Sequence, residues 1–114
     1  MNELSQKRCQ PCEGKGTPFD STQAAQYLQK ISSWQLTEDA KTIFRNFKTK
    51  NFTAAVNLIN QIRDIAESEN HHPDLHLTGY RHLQVELSTH AIGGLSENDF
   101  ILAAKINELP VELK

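Results

Sequence analysis

Apolar residues of this chain recur at intervals of three and four in three separate segments. That interval is the period of an amphipathic helix, and it predicts helices over about residues 22–31, 52–69 and 97–108. Residue types that cap helix N-termini stand at the starts of these segments: Asp20 or Ser21, Asn51 and Ser96. Asp99, three residues after Ser96, completes a pattern similar to a capping box.

The predicted helix over 52–69 carries apolar residues on two sides. One side is a stripe wide enough to cover a sheet: Phe52, Ala55, Val56, Ile59, Ile62 and Ala66. Leu58 and Ile65 lie on a second side, which either widens the core stripe or packs against a partner subunit. Because Pro73 cannot continue a helix and disfavours helical geometry at His72, a turn is expected where the helix ends.

Alternating apolar and polar residues predict four strands between the helices. These strands cover about residues 34–37, 42–48, 75–79 and 82–88. The first two are expected to pair as an antiparallel hairpin. The element order α-β-β-α-β-β-α predicts an α+β fold with the helices on one face of the sheet. Residues 1–19 show no periodicity and are predicted to form a flexible arm, which leaves residues 20–114 as the folded domain.

Amino-acid composition argues against some classes of binding partner. A chain of 114 residues with 38% hydrophobic and 23% charged residues fits one globular domain. A net charge of −2 leaves no excess of Lys and Arg for neutralising phosphates, which argues against nucleic acid. No apolar run is long enough to span a bilayer, and the N-terminus lacks the apolar stretch of a signal peptide. We therefore expect a cytoplasmic protein without a membrane partner.

The histidines are concentrated in a window of about 20 residues that also contains carboxylates. The window holds His71, His72, His76, His82 and His90, with Glu67, Glu69 and Asp74. It indicates a proton-transfer site or a metal site, and the alternative is a group of surface histidines at a helix end. Adjacent histidines usually point apart and the His-Glu-x-x-His spacing is absent, which argues against metal. With no serine or cysteine nucleophile in a recognisable motif nearby, the pattern favours acid–base chemistry on a small polar substrate.

Both cysteines belong to one Cys9-Gln-Pro-Cys12 sequence. Such a pair can be half of a zinc site or a redox pair, or it can have no chemical role. A thioredoxin-like redox motif lies between a strand and a helix, whereas this pair lies in a polar tail rich in Gly and Pro. The pattern therefore favours a chemically idle or weakly docked tail.

Several distinctive residues, inside the histidine window and on either side of it, follow one another at characteristic spacings. In order they are Glu67, His71-His72-Pro73, Tyr80, His90 and Asp99, flanked by Leu87-Ser-Thr-His-Ala-Ile-Gly-Gly-Leu-Ser-Glu-Asn-Asp-Phe100 and preceded by Trp34, Phe44, Phe47-Lys48 and Phe52. Over roughly residues 20–109 this pattern resembles the signature of pterin-4a-carbinolamine dehydratases. The resemblance implies a four-stranded antiparallel sheet with three helices. It also implies dehydration of 4a-hydroxytetrahydropterin to quinonoid dihydropterin, a step that recycles the cofactor of aromatic amino acid hydroxylation.

The resemblance further implies roles for individual residues. His71 and His90 would act as acids that assist departure of the hydroxyl group, and His72 would mainly bind and orient the substrate. The implied substrate-binding residues, which contact the pterin or orient the loop and the histidines, are Glu67, Asn70, Ser88, Thr89 and Asp99. No metal or organic cofactor is implied. The implied partners are a pterin substrate, further copies of the chain in a dimer or tetramer, and an aromatic amino acid hydroxylase as a candidate.

Two positions depart from the family pattern. The sequence Pro73-Asp74-Leu75 stands where the family often has a Trp two residues after the proline, so no stacking role is carried over there. Asn70 stands where an Asp is common, and it can hydrogen-bond without supplying a charge. The main rival hypothesis is a non-catalytic assembly partner of the same fold. A pure scaffold would not need His71, His72 and His90 together.

Overall fold

The computed structural model describes residues 4–9 and 17–113. Within these residues it contains three α-helices, α1 (Ser21–Leu28), α2 (Phe52–Glu69) and α3 (Glu97–Asn107). The strands are β1 (Gln35–Leu36), β2 (Ile43–Lys48), β3 (Asp74–Thr78) and β4 (His82–Leu87), and short 3-10 helices cover Leu4–Gln6 and His90–Ile92. The predicted α+β fold and its element order are confirmed.

Local hydrogen bonds set the ends of the first helix. Asp20 caps α1 in a capping box, in which Gln23 N donates to Asp20 Oδ1 at 2.8 Å and Asp20 N donates to Gln23 Oε1 at 3.1 Å. The helix ends at Leu28 and not at the predicted residue 31. The N–H groups of Lys30 and Ile31 bond carbonyls three residues back, so the chain tightens into a 3-10-type turn there.

The strands form one antiparallel sheet in the order β1-β2-β4-β3. The β3–β4 hairpin turns at Gly79 and Tyr80, which have φ of 53° and 56°. Helix α2 connects β2 to the edge strand β3, and β4 then returns between them. The start of β3 therefore lies beside the end of β4, where Asp74 pairs with Glu86. This register brings the turn after α2 close to the turn after β4.

One face of the sheet carries the core. Its buried strand residues are Ile43, Phe47, Leu83, Val85 and Leu87. They belong to the same hydrophobic cluster as Leu58 and Ile62 of α2 and most of α3, in which eight of eleven residues are buried. The opposite face is exposed at polar residues such as Asn46, His76 and His82. This difference confirms the alternation predicted for β4.

Helix α2 buries part of the predicted stripe together with a residue of the second side. Its buried residues are Ala54, Ala55, Leu58, Ile62 and Ala66. Leu58, predicted on the second side, is only 1% exposed, whereas Phe52, predicted in the core stripe, is 54% exposed. Leu58 therefore widens the core stripe, which was one of the two predicted alternatives, and only the prediction of a buried Phe52 was wrong. Two apolar sides of one helix have similar spacing, and only packing against α3 and the sheet decides which side is buried.

Residues 4–9 pack against α3. Leu4 is 3% exposed within the core, Ser5 Oγ donates to Glu108 Oε2 at 2.5 Å, and Lys105 Nζ donates to the Ser5 carbonyl at 2.8 Å.

The flexibility of residues 1–19 and the domain boundary after residue 19 stay predictions. Residues 1–3, 10–16 and 114 lie outside the described part of the chain, and so does the predicted role of Cys12. Among the described helices, none has the length and apolar character needed to cross a membrane.

Candidate active site

The turn after α2 directs two adjacent histidines into different surroundings. Asn70 ends the helix in the left-handed region with φ of 52°, a conformation that Asn tolerates well. The backbone N–H groups of Asn70 and His71 both donate to the Ala66 carbonyl. The side chain of His71 is 12% exposed and that of His72 is 56% exposed. The two imidazoles therefore do not converge on one point.

His71 is paired with a completely buried carboxylate. Its Nε2 lies 2.6 Å from Asp99 Oδ1, and the Asp99 side chain is 0% exposed. The other oxygen, Asp99 Oδ2, accepts hydrogen bonds from Thr89 Oγ1 at 2.8 Å and from Ser96 N at 3.0 Å. Asp99 is the third residue of α3, so the carboxylate that caps this helix also faces His71.

The contact with Asp99 constrains the tautomer of His71. A carboxylate in its ionised form only accepts hydrogen bonds, so facing that form Nε2 of His71 is the hydrogen-bond donor. Proton exchange with a substrate would then use Nδ1. A buried carboxylate that orients an imidazole in this way is a common arrangement for acid–base catalysis.

His72 has a more exposed partner. Its Nε2 lies 2.6 Å from Glu67 Oε2, and the Glu67 side chain is 69% exposed. Because both groups face solvent, their attraction is screened and the contact mainly restricts ring orientation. Glu67 lies in the last turn of α2, so the helix end supplies both this carboxylate and, through Asn70, the direction of the turn.

His90 begins the 3-10 turn after β4. Thr89 and Gly94 exchange two backbone hydrogen bonds, of 2.8 and 3.3 Å, and Gly93 adopts a φ of 72° that closes the turn. Thr89 is buried, and its hydroxyl donates a hydrogen bond to Asp99 Oδ2. Since Thr89 directly precedes His90, the carboxylate that holds His71 also anchors the loop that carries His90.

A surface depression of about 310 Å³ lies at His90. It is lined by Asp39, Lys41, Thr42, Asp74, Glu86, Leu87, Ser88, His90 and Gly93. Ser88 Oγ donates to the Lys41 carbonyl at 2.7 Å, which ties the β1–β2 turn to the end of β4. The structure thus brings His71 and Thr89 each into contact with Asp99 and places Ser88 and His90 at one depression. Glu67 and His72 form a separate exposed pair.

Asp39 and Lys41 also line this depression, although they lie between the predicted strands over 34–37 and 42–48 and were not among the predicted site residues. Hydrogen bonds from the Thr37 hydroxyl and the Lys41 N–H lower the pKa of the Asp39 carboxyl. No local pattern marks these residues as part of a site. They reach it because β2 pairs with β4, with Ile43 opposite Leu87, which brings the preceding turn to the end of β4.

The other two histidines lie on the open face of the sheet. His76 Nε2 is 3.1 Å from Glu86 Oε1, and His76 and His82 line a second depression with Lys48. Within residues 4–9 and 17–113, no three His, Cys, Asp or Glu side chains are grouped in a way that could hold a metal ion.

Comparisons with known proteins give a consistent result. The family model described as pterin 4 alpha carbinolamine dehydratase matches residues 17–109. The chain is 51% identical to pterin-4-alpha-carbinolamine dehydratase 2, mitochondrial, of Arabidopsis thaliana, over 98% of this chain and 62% of that protein. It is 47% identical to a putative pterin-4-alpha-carbinolamine dehydratase of Halorhodospira halophila, over 93% and 96% of the two chains. The chain therefore spans less than two thirds of the Arabidopsis protein and almost the whole of the bacterial one.

Two solved structures share the fold. A transcriptional coactivator/pterin dehydratase from Brucella melitensis superposes with a TM-score of 0.73 at 30% identity, covering 80% of this chain and 96% of that one. A pterin dehydratase-like protein identified as a RuBisCO assembly factor in the alpha-carboxysome superposes with a TM-score of 0.56 at 16% identity, covering 66% and 86%. The second similarity concerns the fold alone.

Proposed function

This chain belongs to the pterin 4 alpha carbinolamine dehydratase family, and on that basis we propose that it dehydrates 4a-hydroxytetrahydropterins. In this reaction the C4a–oxygen bond breaks, and the hydroxyl group leaves as water after taking a proton from an acid. A ring nitrogen loses a proton to a base, and its electron pair forms the new double bond of quinonoid dihydropterin. Protons balance, and no oxidant or reductant is needed.

The observation that carries this proposal is the His71–Asp99 pair. A substrate hydroxyl leaves readily only when a positioned acid protonates it, and histidine suits that role near neutral pH. In the proposed mechanism His71 and His90 act as acids, one on each face of the pterin, and Asp99 orients His71. His72 orients the substrate. The polar edge of the pterin is contacted by Glu67, Asn70, Ser88 and Thr89.

The decisive experiment follows the loss of carbinolamine absorbance. Wild-type protein should accelerate it, and His71→Ala, His72→Ala and His90→Ala should each reduce kcat/KM by about 100-fold or more. His76→Ala is the matched control, because its imidazole also faces a carboxylate but lies on the open sheet face. A chelator should leave the rate unchanged. An uncatalysed rate with the wild-type protein would contradict the enzyme proposal.

We also propose that the chain forms a homo-oligomer, through α2 or through a sheet edge. The outer side of α2 supports this, because Phe52 is 54% exposed and Val56 and Ile59 are only half-buried. Light scattering should give a mass above 12.9 kDa, and Phe52→Ser should lower it if α2 is the contact. A monomer at micromolar concentration would contradict the proposal.

The second candidate function is an assembly or dimerisation partner. The exposed Phe52 side of α2 favours it, and the Brucella relative is described as both a coactivator and a dehydratase. Phe52→Ser distinguishes the two functions, since it should abolish partner assembly while leaving the histidines in place. A cytoplasmic location and an aromatic amino acid hydroxylase as partner stay part of the proposal. Cell fractionation and co-purification with the hydroxylase test them.

A further inference from the structure

A buried charge lies at the end of the helix that leads to His71. Glu69 is the last residue of α2, and its side chain is only 5% exposed. A carboxylate at a helix C-terminus faces the negative end of the helix dipole, and the last turn of α2 contains no basic residue. A buried carboxylate in that position needs compensation from outside the helix.

The compensation comes from Arg8 and Cys9. Arg8 Nε lies 2.9 Å from Glu69 Oε2, and the backbone N–H of Cys9 donates to Glu69 Oε1 at 2.8 Å. Arg8 Nη2 also donates to the Ser68 carbonyl at 3.3 Å. That carbonyl belongs to the final turn of α2, whose oxygens have no intrahelical donor. The N-terminal segment therefore both neutralises and caps the end of α2.

The same segment also contacts the chain beside Asp99. The Cys9 thiol lies 3.6 Å from the Asn98 carbonyl. Burial, together with the negative charges of Glu69 and Asp99, raises the pKa of this thiol to about 12, so it remains protonated and donates to that carbonyl. The segment thus contacts the residue two before His71 and the residue directly before Asp99.

The other end of the segment is anchored on α3 and in the core. Leu4 is buried, and Lys7 Nζ lies 3.1 Å from Glu97 Oε2. These anchors, with the Ser5 contacts to α3, hold Arg8 and Cys9 against the end of α2. The family match begins only at residue 17, so this segment lies outside the matched region.

We propose that residues 4–9 form a strap that positions the His71–Asp99 pair, with Glu69 as the positioning residue that the strap holds. The strap fixes the final turn of α2, whose Ala66 carbonyl accepts the His71 N–H at 3.1 Å. Loosening that turn would lengthen the hydrogen bond between His71 and Asp99. This inference rests on the proposed function in so far as His71 is the residue that acts on the substrate.

The test compares Glu69→Gln with Asp64→Asn in the full chain. Both substitutions remove a carboxylate from α2, but Asp64 pairs with Arg63 on an exposed surface, at 3.0 Å. Glu69→Gln should lower kcat about tenfold, since small displacements of a catalytic group are costly, and leave KM within about twofold. The NMR signal of the His71 Nε2 proton should shift upfield as its hydrogen bond weakens. Asp64→Asn should match wild type in both measurements.

Arg8→Gln provides a second variant, because it removes the charged partner of Glu69 and keeps the Glu69 carboxylate with its hydrogen bond from the Cys9 N–H. It should change kcat and the His71 proton signal in the same direction as Glu69→Gln. A strap that only stabilises the fold would lower Tm in both variants and leave these two readouts unchanged, which would overturn the proposal. If wild-type protein lacks dehydratase activity, the proposed function fails, while the His71 proton signal still decides whether the strap positions this pair.

Discussion

Asp99 Oδ1 lies 2.6 Å from His71 Nε2, although the two residues are 28 positions apart in the sequence. The carboxylate is fully buried and its second oxygen is held by Thr89 and Ser96. One side chain therefore caps α3, anchors the loop before His90 and orients His71. The Asp99 carboxylate therefore connects His71 with the loop that carries His90, the two histidines proposed as acids.

The substitution Asp99→Asn removes the charge and keeps the shape. An amide oxygen can still accept from Thr89 and Ser96, so the cap of α3 should survive. Facing His71, an amide can present its NH₂ group and favour the other imidazole tautomer. We expect kcat to fall by about 100-fold while Tm changes little. Glu67→Gln, beside exposed His72, is the control and should lower kcat by less than about tenfold. Equal losses in the two variants would contradict the special role of the buried pair.

Asn107 should matter for stability and not for catalysis. Its Oδ1 accepts from Trp34 Nε1 at 2.8 Å and from Arg45 Nη1 at 2.5 Å, and its Nδ2 donates to the Ser32 carbonyl. Asn107→Ala leaves the buried indole N–H without this acceptor, which should lower the free energy of unfolding by about 1–3 kcal/mol. Urea denaturation measures this free energy. Asn57→Ala, at an exposed position of α2, should stay within about 0.5 kcal/mol of wild type.

The Lys7–Glu97 pair should give the stability a small pH dependence. Hydrogen bonds from Lys7 and from the Tyr27 hydroxyl lower the pKa of Glu97 below its usual 4.5. The unfolded chain therefore binds more protons, so the contribution is present above about pH 4.5 and is lost as the pH falls through the folded-state pKa. Because the pair is partly exposed, we expect only a few tenths of a kcal/mol, about 0.3.

Unfolding of wild type and Glu97→Gln, compared at neutral and at strongly acidic pH, measures this contribution. The difference in the free energy of unfolding between the two proteins should be present near neutral pH and should vanish in acid. Lys7→Met should remove most of the same pH-dependent component, since the Lys7 hydrogen bond is its largest cause. A difference in the free energy of unfolding between wild type and Glu97→Gln that grows as the pH falls would contradict this prediction.

Cys9 should react slowly with alkylating reagents while the protein is folded. Burial raises the pKa of its thiol from 9.0 to about 12, so at pH 8 the reactive thiolate is rare. In a Cys12→Ser background, we expect iodoacetamide to modify Cys9 at least about 100-fold more slowly than in denaturant. Because the folded-state pKa is raised, the associated stability is present below about pH 9 and decreases as the pH rises further. Equal rates in the two states would show that Cys9 is not held as described.

The sequence predicted the elements where their signals are local. Helix α2 begins after Asn51 and ends at Glu69, as predicted, because an N-cap and a nearby proline act within a few residues. The histidine window was found from the clustering of the histidines, and Asp99 was included only through the resemblance to the dehydratase family. The limits of the buried stripe on α2 were predicted only in part: Ala55, Ile62 and Ala66 are buried as predicted, but the exposure of Phe52 depends on what packs against it.

The composition of the site itself depends on tertiary structure. The sequence alone determined which residues could carry acid–base chemistry, because side-chain type and spacing are local properties. Only the strand order β1-β2-β4-β3 brings Asp39 and Lys41 to His90, and only the packing of α3 places Asp99 against His71. The different surroundings of His71 and His72 follow from the left-handed turn at Asn70. Such contacts join residues far apart in the chain, and their free energy is defined only once the whole core is packed.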